Sequence, residues 1–402
     1  MKITAVETIR LPDRPNLLLA QIHTDEGLIG LGETSRGAAA VEAQIHELVA
    51  PYLLNKDPLQ IQLHNRHLTN SYLGFASSSA EMRATSVVDI ALWDIFGQAL
   101  GQPICQLLGG KSRDRIRAYN TCAGYNYNTR TVARRSVAAG DAVAQAEGPY
   151  DDQIAFVHRA DELAQSLLSE GYTAMKIWPF DPFAERGDGS MLTAQDLQVG
   201  LQPFDKIRKA VGERIEIMAE FHSLWNLEQA KRIARALEEY RPFWSEDPIK
   251  MCDVATLKDY ANSTRIPVCA SETLGGTATF RDILQAQAAD IVMLDVGWCG
   301  GLTEARKIAA LAESYQRPVA PHDCNGPVVW VASIHLMLHI PNALVMEVVR
   351  AYFSTWYRDI LTELPLVKEG YIYGLSGAGL GTRLQPDLVK RSGVQTRRSV
   401  AS

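Results

Sequence analysis

Eight short apolar runs, each ending on or beside a polar residue, constrain this chain more than any other feature. They occupy residues 116–122, 172–178, 215–221, 242–248, 266–272, 290–296, 317–323 and 343–349. Most are solidly apolar rather than alternating, the pattern of parallel strands buried on both faces. Amphipathic stretches such as 227–239 and 303–314 lie between them, and one βα unit recurs about every 25 residues, which predicts a (β/α)₈-type barrel. The polar strand ends then matter most, because barrel enzymes gather their chemistry at that rim.

Ahead of the barrel, residues 2–11 and 17–23 alternate apolar with polar and turn at Asp25-Glu26-Gly27, as an antiparallel meander does. Segments 39–53 and 80–100 carry apolar residues at helical spacing, and Gly101 stands at a helix end. An α+β unit over residues 1–115 is therefore expected, punctuated by Gly109-Gly110, with the barrel over 116–364. The last segment, 365–402, carries Gly374, Gly377, Gly379 and Gly381 and is expected to return to the first unit. Residues 125–153 fit no βα unit and read as an excursion over the barrel mouth or an oligomer contact, so a homo-oligomer is expected.

Composition removes several classes of function. With 402 residues, 47% apolar and 21% charged, the chain suits a folded soluble protein with a large core. A formal net charge of −6 offers no field for phosphodiester backbones, so nucleic acid is not an expected partner. The start lacks an apolar signal core, and no window reaches the roughly 18 apolar residues of a membrane span, which predicts a cytoplasmic protein. Cys105, Cys122, Cys252, Cys269, Cys299 and Cys324 are scattered without a CxxC pair, fitting reduced thiols better than a disulfide framework or zinc site.

Lys176, Glu220, Glu246, Glu272, Asp295, His322 and Glu347 each stand at the end of a different run. Any single glutamate there could pair with a lysine or arginine. Glu220, Glu246 and Glu272 recur at an equal interval on successive strands, so three like charges converge; a hard divalent cation, Mg²⁺ or Mn²⁺, relieves their repulsion. Asp295 and His322 end consecutive strands, where a carboxylate on one imidazole nitrogen leaves the other as a general base. A turn-capping histidine with Asp323 as neighbour is the plainer alternative.

The ordered set Lys176-Ile177-Trp178, Glu220, Ser245-Glu246-Asp247-Pro248, Ser271-Glu272-Thr273, Asp295, His322 and Glu347 resembles the enolase superfamily, mandelate racemase subgroup, over nearly the whole chain. The resemblance implies an α/β fold: an α+β N-terminal capping domain on a modified TIM barrel, (β/α)₇β. It further implies that Glu220, Glu246 and Glu272 bind Mg²⁺, that Asp295–His322 is the base, and that Glu347 hydrogen-bonds a substrate carboxylate.

Two departures narrow the reaction. Two-faced members of the subgroup carry Lys-x-Lys at the second barrel strand, whereas Trp178 stands here and cannot take a proton; Lys176 remains to stabilise an enolate or orient the carboxylate. His222 lies two residues beyond Glu220, where strand alternation points both to one face, and the chain is similar there to sugar-acid dehydratases in which that histidine protonates the departing β-hydroxyl. Capping the next helix, or binding water near the metal, is the plainer role. The expectation is a Mg²⁺-dependent hydro-lyase of carbohydrate acid catabolism: it acts on an aldonate or aldarate and gives a 2-keto-3-deoxy acid. A racemase, epimerase or cycloisomerase on the same metal and dyad is the alternative, and Trp178 and His222 speak against it. A non-catalytic sugar-acid-binding barrel would not need the complete set of ligands and base. The short turn of LPDRPNL leaves little lid, so residues 70–79 (NSYLGFASSS) are expected to shape the substrate end.

Overall fold

The computed structural model describes residues 1–70, 78–127 and 148–401. Most of the 70–79 stretch and of the 125–153 excursion lies outside the described residues.

The chain opens with strands β1 (Ile3–Leu11), β2 (Arg14–Thr24) and β3 (Ile29–Ser35), an antiparallel meander whose β1–β2 turn is only Pro12-Asp13. Helices α1 (Ala38–Gln44), α2 (Ile61–Thr69) and α3 (Ala80–Leu100) follow. Helix α3 is buried round most of its circumference because β3 covers one side and a barrel helix the other. Gly30 and Gly32 permit this approach: a Cβ on either would come within 2.1 Å or 1.9 Å of the Ala91 or Val87 carbonyl oxygen. Gly101 ends α3 in the left-handed region at φ 62°, its N–H returning to the Gln98 and Gly97 carbonyls.

The barrel runs β4 (Ile116–Thr121), α4 (Ala160–Ser169), β5 (Ala174–Ile177), α5 (Ala194–Val211), β6 (Glu216–Glu220), α6 (Leu227–Leu237), β7 (Trp244–Glu246), α7 (Val254–Ala261), β8 (Val268–Ala270), α8 (Thr277–Gln285), β9 (Ile291–Val292), α9 (Gly301–Ser314), α10 (Pro327–His339) and β10 (Met346–Val348). The seventh run forms no extended strand. Val319 alone bridges Val292 on one side and Ala343 on the other. Parallel pairing of β10 with β4 then closes the ring, Glu347 opposite Tyr119. No full helix follows β10, so the architecture is (β/α)₇β rather than (β/α)₈.

Tyr119, Ala174, Met218, Trp244, Met293, Ala320 and Val345 fill the barrel interior. Side chains alternate along a strand, so the inward position two residues later belongs to Thr121, Lys176, Glu220, Glu246, Asp295, His322 and Glu347. The apolar plug and the polar rim are thus successive layers of one pattern. Glu272 breaks the parity. Cys269 is the inward residue of β8, and strict alternation would present Ser271.

After the barrel, strands β11 (Leu366–Lys368) and β12 (Tyr371–Tyr373) form a hairpin on β4, and β13 (Gln395–Val400) pairs antiparallel with β1. Buried carboxylates stitch the capping unit to the C-terminal segment and to the barrel. Asp94 on α3 accepts from Leu31 N at 2.9 Å and Leu380 N at 2.8 Å. Glu33 on β3 accepts from Val328 N and Val329 N, both at 3.1 Å, at the start of α10, where the first-turn amides lack helical partners. Burial raises the Glu33 carboxyl to about 8 against those amides. Five of the six cysteine thiols are buried, and Cys252 is exposed. No helix among the described residues is long and apolar enough to cross a membrane.

Candidate active site

Glu220 and Glu246 are direct cross-strand neighbours on β6 and β7, and Glu272 follows β8. One carboxylate oxygen from each lies within 4.8 Å of the others, and all three residues are buried. Burial raises Glu220 to about 7 and, with the Glu220 charge beside it, raises Glu246 well above its ordinary range. Lys176 Nζ is the nearest positive charge, 2.5 Å from Glu246, 3.0 Å from Glu347 and 3.3 Å from Glu220. One ammonium cannot balance that many carboxylates, and apart from the Lys176 ion pair Glu220 Oε2 has no hydrogen bond among the described residues. A cluster of buried, all-oxygen, anionic donors therefore fits a hard divalent cation held by Glu220, Glu246 and Glu272.

On one side of the cluster, His322 Nδ1 donates to Asp295 Oδ2 at 2.6 Å. Asp295 is itself fixed by Gly297 N at 2.7 Å and by the Asn325 side-chain amide. The other imidazole nitrogen, Nε2, points inward and stands 3.2 Å from Glu272 Oε2. Burial disfavours charge on His322, but Glu272, Glu347 and Asp295 outweigh it and hold the imidazole at about 9. Glu347 accepts from Thr121 Oγ1 and Asp323 N. Burial opposes its charge too, yet Lys176 and His322 hold it down at about 2.

His222 lies across the rim. The seven strands and the Val319 bridge make eight positions round the barrel; β6 is the third and Val319 the seventh, so the two histidines face each other. Alternation did not place His222: β6 ends at Glu220, and His222 and Ser223 are left-handed, at φ 50° and φ 57°. Its backbone N–H donates to Glu220 Oε1 at 2.6 Å, and Nδ1 lies 2.7 Å from Asp181 Oδ2. Tyr127 Oη is 3.4 Å from Nε2. Helix α6 is capped by Asn226 and not by His222. Trp178 is buried between Tyr127, Phe156 and the His222 ring, where the expected second lysine of two-faced members would stand.

The structure therefore brings together Lys176, Glu220, Glu246, Glu272, Asp295, His322 and Glu347, with His222 beside them. Sequence reasoning missed Asp181, Thr121 and Asn325. Asn325 was within reach, three residues after His322 in PHDCNG. Asp181 carries no local signal, because its partner lies on the next strand of the barrel.

A capped (β/α)₇β barrel with an acidic cluster between two histidines defines an enzyme of the enolase type. The family description "Mandelate racemase / muconate lactonizing enzyme, N-terminal domain" matches residues 4–109, and "Enolase C-terminal domain-like" matches residues 159–388. The chain belongs to the enolase superfamily, in its mandelate racemase subgroup. A solved enolase of that subgroup from Agrobacterium tumefaciens, with a succinimide residue, sodium and phosphate, is 52% identical at TM-score 0.88, covering 100% of this chain and 99% of that one. An enolase protein from Sargasso Sea environmental sequencing is 46% identical at TM-score 0.88, with 100% and 99% covered. Among curated relatives, D-xylonate dehydratase of Haloferax volcanii is 30% identical over 97% of this chain and 88% of its own length. D-galactonate dehydratase of Pectobacterium atrosepticum is 30% identical over 97% and 94%. The protein is an enzyme of the lyase class.

Proposed function

We propose that this enzyme is a Mg²⁺-dependent dehydratase of a sugar acid, removing the α-proton and expelling the β-hydroxyl to give a 2-keto-3-deoxy acid. The observation that carries this reading is the opposition of two carboxylate-backed histidines, Asp295–His322 and Asp181–His222, across one buried carboxylate cluster. The relatives named as D-xylonate and D-galactonate dehydratases support the same reaction class.

Glu220, Glu246 and Glu272 would hold the ion, which when bound supplies positive charge to a carboxylate oxygen as negative charge builds there. Lys176 offers a second positive charge at the same place. Glu272 shared with a cation pulls less on His322, which leaves Nε2 closer to a base. Asp295 keeps that imidazole in the Nδ1–H tautomer, so the inward nitrogen takes the α-proton. Hydroxide leaves poorly, and His222 donates a proton to the β-hydroxyl from the opposite side, Asp181 fixing its ring. The resulting enol becomes the 2-keto acid by tautomerisation. Trp178 offers no base on the second face, which argues against racemisation.

A library of aldonic and aldaric acids, incubated with the Mg²⁺-loaded enzyme and assayed for 2-keto products with semicarbazide, tests the proposal. Product from at least one stereoisomer, lost in the presence of chelator, is expected. Silence across the library with racemisation of another carboxylic acid would replace it with the isomerase reading. A cytoplasmic enzyme that assembles as a homo-oligomer and binds neither nucleic acid nor membrane completes the proposal.

A further inference from the structure

Two arginines of the capping domain stand at the dyad side of the rim without an ion pair among the described residues. Arg83, in α3, lies with Cζ 5.0 Å from the centre of the Trp298 ring, and that ring is 5.1 Å from the His322 ring, so the guanidinium is one aromatic ring removed from the base. Trp298 is held in turn by the capping strand: its Nε1 donates to Ser35 O at 3.1 Å. Arg36 is the next residue.

Neither arginine has an ion-pair partner among the described residues, and Arg83 Nε is buried without a hydrogen bond. Burial lowers the proton affinity of Arg83; Asp295 and Glu272 oppose this, and the Arg36 charge adds to it. Arg36 is also felt at Cys324, two residues from the base, and at Tyr352. Two part-buried cations on the same side of the rim, without an ion-pair partner among the described residues, repel each other. An anion between them relieves that repulsion, and a guanidinium suits a carboxylate with two parallel hydrogen bonds. The carboxylate whose α-proton is removed belongs with Lys176 and the acidic cluster, so this anion is a second one.

We infer that the substrate is a diacid, an aldarate rather than an aldonate, whose distal carboxylate is received by Arg83 and Arg36. The inference refines the sugar-acid reading and rests on it for the class of substrate. It departs from the curated relatives, which are named for monoacids.

Calorimetry on Mg²⁺-loaded protein carrying His322→Asn, which leaves the ligand intact, measures it directly. The ligands are six-carbon aldarates and aldonates of matched configuration. The best diacid should bind about 10- to 100-fold more tightly than its monoacid, the scale of one or two charge-assisted hydrogen bonds. Adding Arg83→Gln should bring that ratio down at least tenfold, with the fold checked by circular dichroism; Arg36→Gln should lower it in part and carries the test if the first variant does not fold. Equal binding of diacid and monoacid, or a preference that survives both substitutions, would overturn the inference. An aldonate phosphorylated at its far end that binds above the diacid would overturn the carboxylate assignment. Binding is read without turnover, so a diacid preference in an enzyme that forms no 2-keto product would retire the dehydratase reading and leave this one.

Discussion

Asp181 Oδ2 lies 2.7 Å from His222 Nδ1, the same arrangement that Asp295 makes with His322 on the far side of the barrel. Asp181 opens the short helix after β5, and His222 follows β6, so two adjacent strand ends build the second dyad.

Asp181→Asn should therefore slow dehydration about 10²–10⁴-fold, the scale of a lost general acid, because a neutral amide no longer stabilises the doubly protonated ring that has a proton to give at Nε2. α-Proton exchange with solvent should fall far less. A merely structural role would reduce both together, so the ratio of exchange to dehydration is the measurement that decides.

The converging glutamates give a prediction about metal binding. Mg²⁺ should raise the melting temperature of chelated protein in a concentration-dependent way, since a ligand bound only by the folded state stabilises it. Glu246→Gln should weaken or abolish that shift. Calorimetry should count one divalent site; a site with thiolate ligands, or none, contradicts the reading.

His335 predicts an acid limb in stability. Burial is the main cause that lowers this imidazole to about 4, with the backbone bond to Leu380 opposing and Lys111 adding to it. The folded-state pKa is depressed below the ordinary value of 6.5, so the neutral ring's contribution is full above that value. It is lost as pH falls from about 6.5 to about 4, by up to about 3 kcal/mol. His335→Gln should flatten this limb in urea titrations across that window.

The capping sheet has a steric test. Gly30→Ala places a Cβ 2.1 Å from the Ala91 carbonyl, so helix and strand must separate. Destabilisation at the upper end of about 1–3 kcal/mol or beyond is expected, read as a lower urea midpoint. Gly27→Ala meets no neighbouring atom within 4 Å and should cost less, through its φ of +81° alone.

The sequence showed the rim because barrel strands alternate. Lys176, Glu220, Glu246, Asp295, His322 and Glu347 each follow an inward apolar residue by two, so the register of plug and rim is written locally. Glu272 escaped that rule and was found by its interval instead. His222 was found for a reason the structure does not share, since the chain has left β6 when it reaches the rim. Asp181 and Arg83 were illegible as partners because each acts on a residue that another element carries, whereas Asn325 stood three residues from His322 and was passed over. The seventh strand read as a run of seven residues but pairs through Val319 alone, a distinction that apolar content cannot make.

Whether base and acid are two different histidines is decided by following loss of the α-proton to D₂O alongside formation of the 2-keto product. His322→Asn should abolish both, because no base remains. His222→Asn should lose dehydration by about 10²–10⁴-fold while slow exchange persists, since the proton can still leave and return. Full dehydration by the His222→Asn enzyme, or exchange that survives His322→Asn, would contradict the account.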